Sequence, residues 1–288
     1  MTPTPHFDRT VEDVGNLVQL EHVNLSHDDN AKAVLFYLVG LGLTRDPYVV
    51  VGLENMWVNI GRSQVHLPAR GPQRLRGTIG LVMPDLDALA QRLERVAPRL
   101  QETRFAYTPG AEVIDAVCPW GNRFRIHAAV PGGMSLGMPY LRFDVPHGTV
   151  EGIARFYRQV LGAPAAVGPL DGTPAATVVA GPAQQLIFRE TDAALPPYDG
   201  HHLQVYVADF SGPHAKLAAR GLVTEESDQY QYRFETIFDP EDGRALFEIQ
   251  HEVRSLTHPL RGRELVNRDP AQSNRGYVPN GDRYSGRY

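Results

Sequence analysis

The sequence holds one cysteine, Cys118, in 288 residues. A lone thiol cannot close an internal disulfide, so a reducing cytoplasm is the expected compartment. Cys118 precedes Pro119 and reads as an inert, half-buried side chain. No run of about 18 apolar residues occurs, so no transmembrane helix is expected. The segment Met1 to Arg9 lacks the apolar core of a secretion signal, so no leader is expected. There is no long basic run, and the formal net charge is −5. These absences argue against nucleic acid and against a membrane surface, and leave a small-molecule substrate as the expected partner. The composition is that of a soluble globular protein, and the length suits two domains.

What is present is a repeat. The clearest strand is His201–Val207, with Leu203, Val205 and Val207 on one face and His202, Gln204 and Tyr206 on the other. An apolar interior needs no imidazole, amide and phenol, so the second face is a candidate site. A first strand, Leu17–Leu25, carries Val23 and Leu25 on one face and Leu20, His22 and Asn24 on the other. Asp28 or Asp29 can cap a helix to about Leu38, ended by Gly40 and Gly42. Strands over Tyr48–Gly52, Met56–Gly61 and Gln64–Leu67 complete unit one. Unit two has a strand Gly77–Met83, an Asp85-capped helix Leu86–Val96, and strands near Glu112–Val117 and Arg123–His127. Unit three begins at Tyr140–Val145, with a helix Val150–Val160 ended by Gly162 and strands around Ala175–Ala180 and Gln185–Arg189. Unit four has the strand His201–Val207, a helix Pro213–Arg220 ended by Gly221, and strands Phe234–Phe238 and Arg244–Gln250. The halves also match directly: Phe36-Tyr37 with Leu41-Gly42 aligns to Phe156-Tyr157 with Leu161-Gly162.

Four such βαβββ units resemble the vicinal oxygen chelate superfamily, which includes glyoxalase I, the fosfomycin- and bleomycin-resistance proteins and the extradiol dioxygenases. The resemblance spans roughly residues 17–252. It implies an α+β fold of two curved, half-barrel mixed sheets with helices on their convex faces. The expected organisation is an arm (1–16), two glyoxalase-like domains of two modules each (17–130 and 138–252) and a polar strap (253–288). Monomer and homodimer are both open, since four units complete two half-barrels while exposed sheet edges can still pair.

The resemblance also implies a divalent metal on a concave face: Fe(II), Zn, Ni, Co or Mn. Its first-strand ligand positions carry over to His22, Thr78, Arg142 and His202. The last-strand positions carry over to His66, Arg125 and Glu248, with Glu248 and His66 each five residues after a glycine, Gly243 and Gly61. Neighbour pairing of units puts an arginine into each set. Crossed pairing, unit one with four and two with three, segregates His22, His66, His202 and Glu248 from Thr78, Arg125 and Arg142. The first set has the donors of a borderline-metal site, and the second is cationic. Crossed pairing is therefore expected, with Glu248 and Tyr206 as catalytic groups and Arg142, Arg125 and Gln204 as substrate contacts. Catechol cleavage fits less well, because Glu235-Thr236 precede Asp239-Pro240 where extradiol enzymes carry an aliphatic–Tyr pair. The function expected is a metal-dependent dioxygenase or glyoxalase-type isomerase or lyase, with a metal-free small-molecule-binding protein as the alternative.

Overall fold

The computed structural model describes residues 7–49, 52–269 and 272–276. The first six residues of the expected arm, residues 50–51 of the strand expected over Tyr48–Gly52, and the strap's residues 270–271 and 277–288 lie outside the described residues.

Module one comprises β1 (Leu17–Asn24), α1 (Asn30–Ala33), β2 (Thr44–Arg45), β3 (Asn55–Ile60) and β4 (Ser63–Pro68). Module two comprises β5 (Gly77–Met83), α2 (Leu86–Leu100), β6 (Ala106–Thr108), β7 (Val113–Val117) and β8 (Arg123–Ala128). Module three comprises β9 (Gly137–Pro146), α3 (Val150–Phe156), β10 (Ala165–Leu170), β11 (Thr173–Gly181) and β12 (Gln184–Thr191). Module four comprises β13 (His202–Val207), α4 (Ser211–Ala218), β14 (Val223–Asp228), β15 (Gln231–Phe238) and β16 (Ala245–Ser255). The short strands β6, β10 and β14 were not expected from sequence. Their residues are mostly exposed, so no apolar alternation marks them.

The caps read from sequence form. Asp29 and Asp85 each accept a hydrogen bond from the backbone amide three residues on, Lys32 at 3.0 Å and Ala88 at 2.8 Å. α1 and α3 run on into π-helical turns, Val34–Gly40 and Tyr157–Leu161, at the matched Phe-Tyr positions of the two halves. Gly162 closes the second of these with a left-handed φ of 70°.

The sheets are crossed. One runs β14-β15-β16-β13-β1-β4-β3-β2, joining modules four and one; the other runs β10-β11-β12-β9-β5-β8-β7-β6, joining modules three and two. At each centre the first strands of two modules pair antiparallel, β1 with β13 and β5 with β9. Their core-facing apolar residues, such as Val23, Leu203, Ile79 and Leu141, join one continuous core with the helices. Burying each such side chain contributes ~1.5–3 kcal/mol.

β1 departs from simple alternation. Its register with β13 slips between Leu20 and His22, leaving Glu21 as an extra residue. Leu20, expected beside His22, therefore enters the core, and the buried Glu21 is inserted between it and His22. The bulge is held from the other sheet: the buried Gln184 accepts from the Leu20 amide at 3.1 Å and donates to the Leu20 carbonyl at 2.8 Å.

Beyond β16 the chain doubles back over module one. Asn267 accepts from the Gly61 amide at 2.9 Å and donates to its carbonyl at 2.8 Å. Arg263 pairs with the buried Asp46 at 2.7 Å, and Arg261 donates to Gln19 at 3.0 Å. These contacts come from residues 261–267, inside the segment expected to be a strap, whose first residues, 253–255, instead belong to β16.

Candidate metal centre

Three histidines converge on the concave face of the first sheet. His22 of β1, His66 of β4 and His202 of β13 each offer a nitrogen, and these atoms lie within 4.8 Å of one another. The ring centroids of His66 and His202 are 5.9 and 5.8 Å from that of His22. The group could hold a metal ion.

The surroundings fix which nitrogen is available. Glu21 Oε2 is 3.3 Å from His22 Nδ1, so Nδ1–H donates to the carboxylate and Nε2 keeps its lone pair. Asn55 Oδ1 accepts from His66 Nε2–H at 2.6 Å, which leaves Nδ1 as the free donor. The His66 ring is also stacked on Trp57, with centroids 3.8 Å apart. The Nε2 atoms of His22 and His202 are buried with no hydrogen-bond partner. Burial, reinforced by neighbouring cations, holds His22 and His202 well below the ordinary imidazole range and His66 down to about 2. All three are neutral donors at pH 7. Two orphaned buried nitrogens and three neutral imidazoles fit a borderline divalent cation.

The carboxylate beside this group is Glu252, not Glu248. Glu252 Oε2 lies 3.6 Å from His202 Nε2, and the side chain is buried. Arg233 reaches it at 2.5 Å and Arg254 at 2.7 Å; Arg254 also reaches Glu21 at 3.0 Å. Arg233, Glu252, Arg254 and Glu21 thus form a row of alternating charge behind the histidines. Glu248 is exposed, and its carbonyl accepts from Arg76. The miscount comes from hairpin length. β4 opens at Ser63, one residue before Gln64, the register partner of His22. β16 opens at Ala245, five residues before Gln250, the partner of His202. The difference, five minus one, is the four residues between Glu248 and Glu252.

Gln204 and Tyr206 face the cup as expected. Gln204 lies directly across from His22, fully buried, and both its amide oxygen and nitrogen lack partners. The Tyr206 hydroxyl donates to Glu21 Oε1 at 3.3 Å, so it meets His22 only through Glu21. Burial pushes the phenol well up, which keeps it a donor.

Arg125 and Arg142 are elsewhere, on the second sheet. The registers explain why. His22 and His202 are diagonal neighbours about the central pair Val23–Leu203. The corresponding pair of the second sheet is Ile79–Leu141, which puts Thr78 and Tyr140 at the two histidine positions. Arg142 is directly across from Thr78 and so matches Gln204, two residues beyond the position expected. On the last strands, Val65, His251, Phe124 and Leu186 are the partners of Val23, Leu203, Ile79 and Leu141. The residues that follow them are His66, Glu252, Arg125 and Ile187. The four positions that read His, His, His, Glu in one cup read Thr, Arg, Tyr, Ile in the other.

Glu21, Asn55, Arg233, Arg254 and Glu252 were missed by sequence reasoning. One signal was available for Glu21: two consecutive polar residues, Glu21-His22, interrupt an alternating strand, as a bulge requires. Glu252 was reachable only from strand register.

Tandem modules paired into two crossed sheets are a fold shared with solved structures of low sequence identity. Among solved structures, the chain is similar to glyoxalase I from Zea mays, with TM-score 0.58 and 13% identity over 82% of this chain and 92% of that one. It is also similar to a Bacillus subtilis protein provisionally assigned as a dioxygenase, with TM-score 0.56 and 13% identity over 84% and 86% of the two chains. No family model and no curated protein matches the sequence. Among the described residues, no helix is long and apolar enough to cross a membrane.

Proposed function

We propose that this protein is a metal-dependent enzyme of the vicinal oxygen chelate type, acting on a small molecule with two neighbouring oxygens. The observation that carries the reading is the convergence of three neutral, buried imidazoles with two orphaned Nε2 atoms. His22 through Nε2, His66 through Nδ1 and His202 through Nε2 would hold the ion, with Glu252 as the carboxylate beside them. When bound, such a metal supplies Lewis acidity toward adjacent oxygens or, as iron(II), redox chemistry with dioxygen.

The chain's own residues do the rest. Glu21 and Asn55 fix the ring orientations of His22 and His66. Arg254 and Arg233 fix Glu252. Gln204 offers a donor and an acceptor toward the cup, and Asn24, across from His202, adds an unpartnered Oδ1. Those amides are the substrate contacts of this reading. Tyr206 positions Glu21. With its single thiol buried, the protein is assigned to the cytoplasm.

The test is elemental analysis of the purified protein beside His22→Ala, His66→Ala and His202→Ala. About one transition metal per chain, lost in His22→Ala and His202→Ala alike, is the expected result. The metal's identity then selects oxygen chemistry or isomerisation. No metal in the wild type after reconstitution overturns the enzyme reading in favour of metal-free small-molecule binding.

A further inference from the structure

The second cup has lost every ligand of the first but remains a cavity. A pocket of about 220 Å³ opens on its concave face, lined by Thr78, Tyr107, Asp115, Arg123, Arg125 and Arg142 among others. That is room for about seven water-sized groups.

Its polar groups are incompletely matched. Arg142 Nη2 donates to Thr78 Oγ1 at 3.0 Å, and its Nε is buried with no partner. Arg125 Nε stands 3.9 Å from Asp115 Oδ1, too far for a hydrogen bond. Arg123 is taken by Asp144. Three guanidiniums thus meet two carboxylates, and only Arg123 is closely paired. A buried N–H without an acceptor is costly and signals a missing one. The positions matching the first cup's ligands carry Thr78, Arg125, Tyr140 and Ile187, and with Arg123 and Arg142 lining the same pocket its net charge opposes a metal cation.

We infer that the second cup is a metal-free binding site for a small oxyanion, a carboxylate or phosphate group held between Arg142 and Arg125 with Thr78 at its base. Arginine suits the task because its planar fork binds two oxygens of such a group at once. Tyr107 on β6 borders the pocket, whose volume suits a small ligand. The site is independent of the metal reading, since it shares no residue with the first cup.

The experiment is calorimetric titration of the purified protein with inorganic phosphate and, separately, malonate, at constant ionic strength. Saturable binding of at least one probe is expected, and the stronger probe tells phosphate from carboxylate. Arg125→Gln, at a half-exposed side chain where folding should stay intact, should weaken binding at least about tenfold, the worth of one charged hydrogen bond. Arg142→Lys, which keeps charge but loses the fork, should weaken it similarly. Metal content should be unchanged in both. Binding equally tight in both variants, or no saturable binding of either probe to the wild type at 10 mM, overturns the assignment.

Discussion

The two cups of this molecule share a backbone plan and differ in almost everything chemical. Both are built on an antiparallel pair of first strands flanked by parallel last strands. In the first, the concave-face positions carry neutral imidazoles, and the buried charges beside them are paired: Glu21 and Glu252 with Arg254, Asp46 with Arg263. In the second, the same positions carry Thr78, Arg125, Tyr140 and Ile187 in place of imidazoles and carboxylate, and arginine outnumbers acid. Exposure follows chemistry. The His22 side chain is 1% exposed, whereas that of Arg125 is 42% exposed. Arg261, Arg263 and Asn267 of the strap hydrogen-bond to Gln19, Asp46 and Gly61 of module one, the side of the histidines. A fold of this kind fixes where inward side chains meet and leaves open what they do on meeting. Function is therefore decided by a handful of register positions.

The comparison breaks most visibly at the metal. His202→Ala should reduce bound metal from about one per chain to background, while Arg125→Gln leaves it unchanged; elemental analysis reads both. Equal loss in the two variants would mean that the ion is not held where the imidazoles converge. The next largest effect is on stability. Replacing Arg254 by Met removes the cation between Glu21 and Glu252 and leaves two buried carboxylates with one partner fewer. The expected cost is ~3–5 kcal/mol by urea unfolding. The corresponding removal in the second cup, Arg125→Met, touches a half-exposed side chain and should cost ~0–1 kcal/mol. Similar costs would show that the buried charge row is not what holds the first cup.

These effects indicate how far sequence could reach. The modules, their helix caps and the crossed order were legible, because Asp29, Asp85 and the paired Phe-Tyr motifs recur at fixed offsets and because only crossing separates histidine from arginine. His22, His66 and His202 were legible as inward-facing strand positions. Glu21 was hidden because a bulge moved it in beside His22, which alternation does not anticipate. Arg142 was placed two residues off because counting from the helix assumes equal strand-to-helix connections, and β9 runs on to Pro146 whereas β1 stops at Asn24. Arg254 and Arg233 were hidden because the row they make depends on β15 and β16 together, a register that no local pattern encodes.

A smaller effect separates the covered cup from the open one. Asp46 accepts from the Tyr48 and Val49 amides at 2.8 and 3.0 Å and pairs with Arg263 of the strap. Burial alone would raise its pKa, but Arg263 and these amides outweigh it and hold the carboxyl below its ordinary value. The folded pKa being the lower one, this contribution is complete above the unfolded value of about 3.9 and is lost as pH falls through the folded one. Asp46→Asn should therefore be less stable than wild type by ~1–3 kcal/mol at pH 7, with the gap closing below about pH 4. Urea midpoints of the two proteins across that range give the answer, and a gap independent of pH would remove Asp46 as the strap's anchor.

The smallest effect is the sharpest on register. Glu248 and Glu252 are four residues apart on one strand and share its concave face, so either could be taken for the carboxylate of the first cup. Only Glu252 is buried against His202, and the exposed Glu248 lies beyond the rim. Glu248→Gln should leave metal content unchanged and stability within ~0.5 kcal/mol, as for an ordinary surface change. Glu252→Gln should disturb both, because it also strips Arg233 and Arg254 of their buried counter-charge. The reverse outcome would mean that the longer β15–β16 hairpin is paired four residues out of place. In that case the whole first cup, and not one side chain, would need to be redrawn.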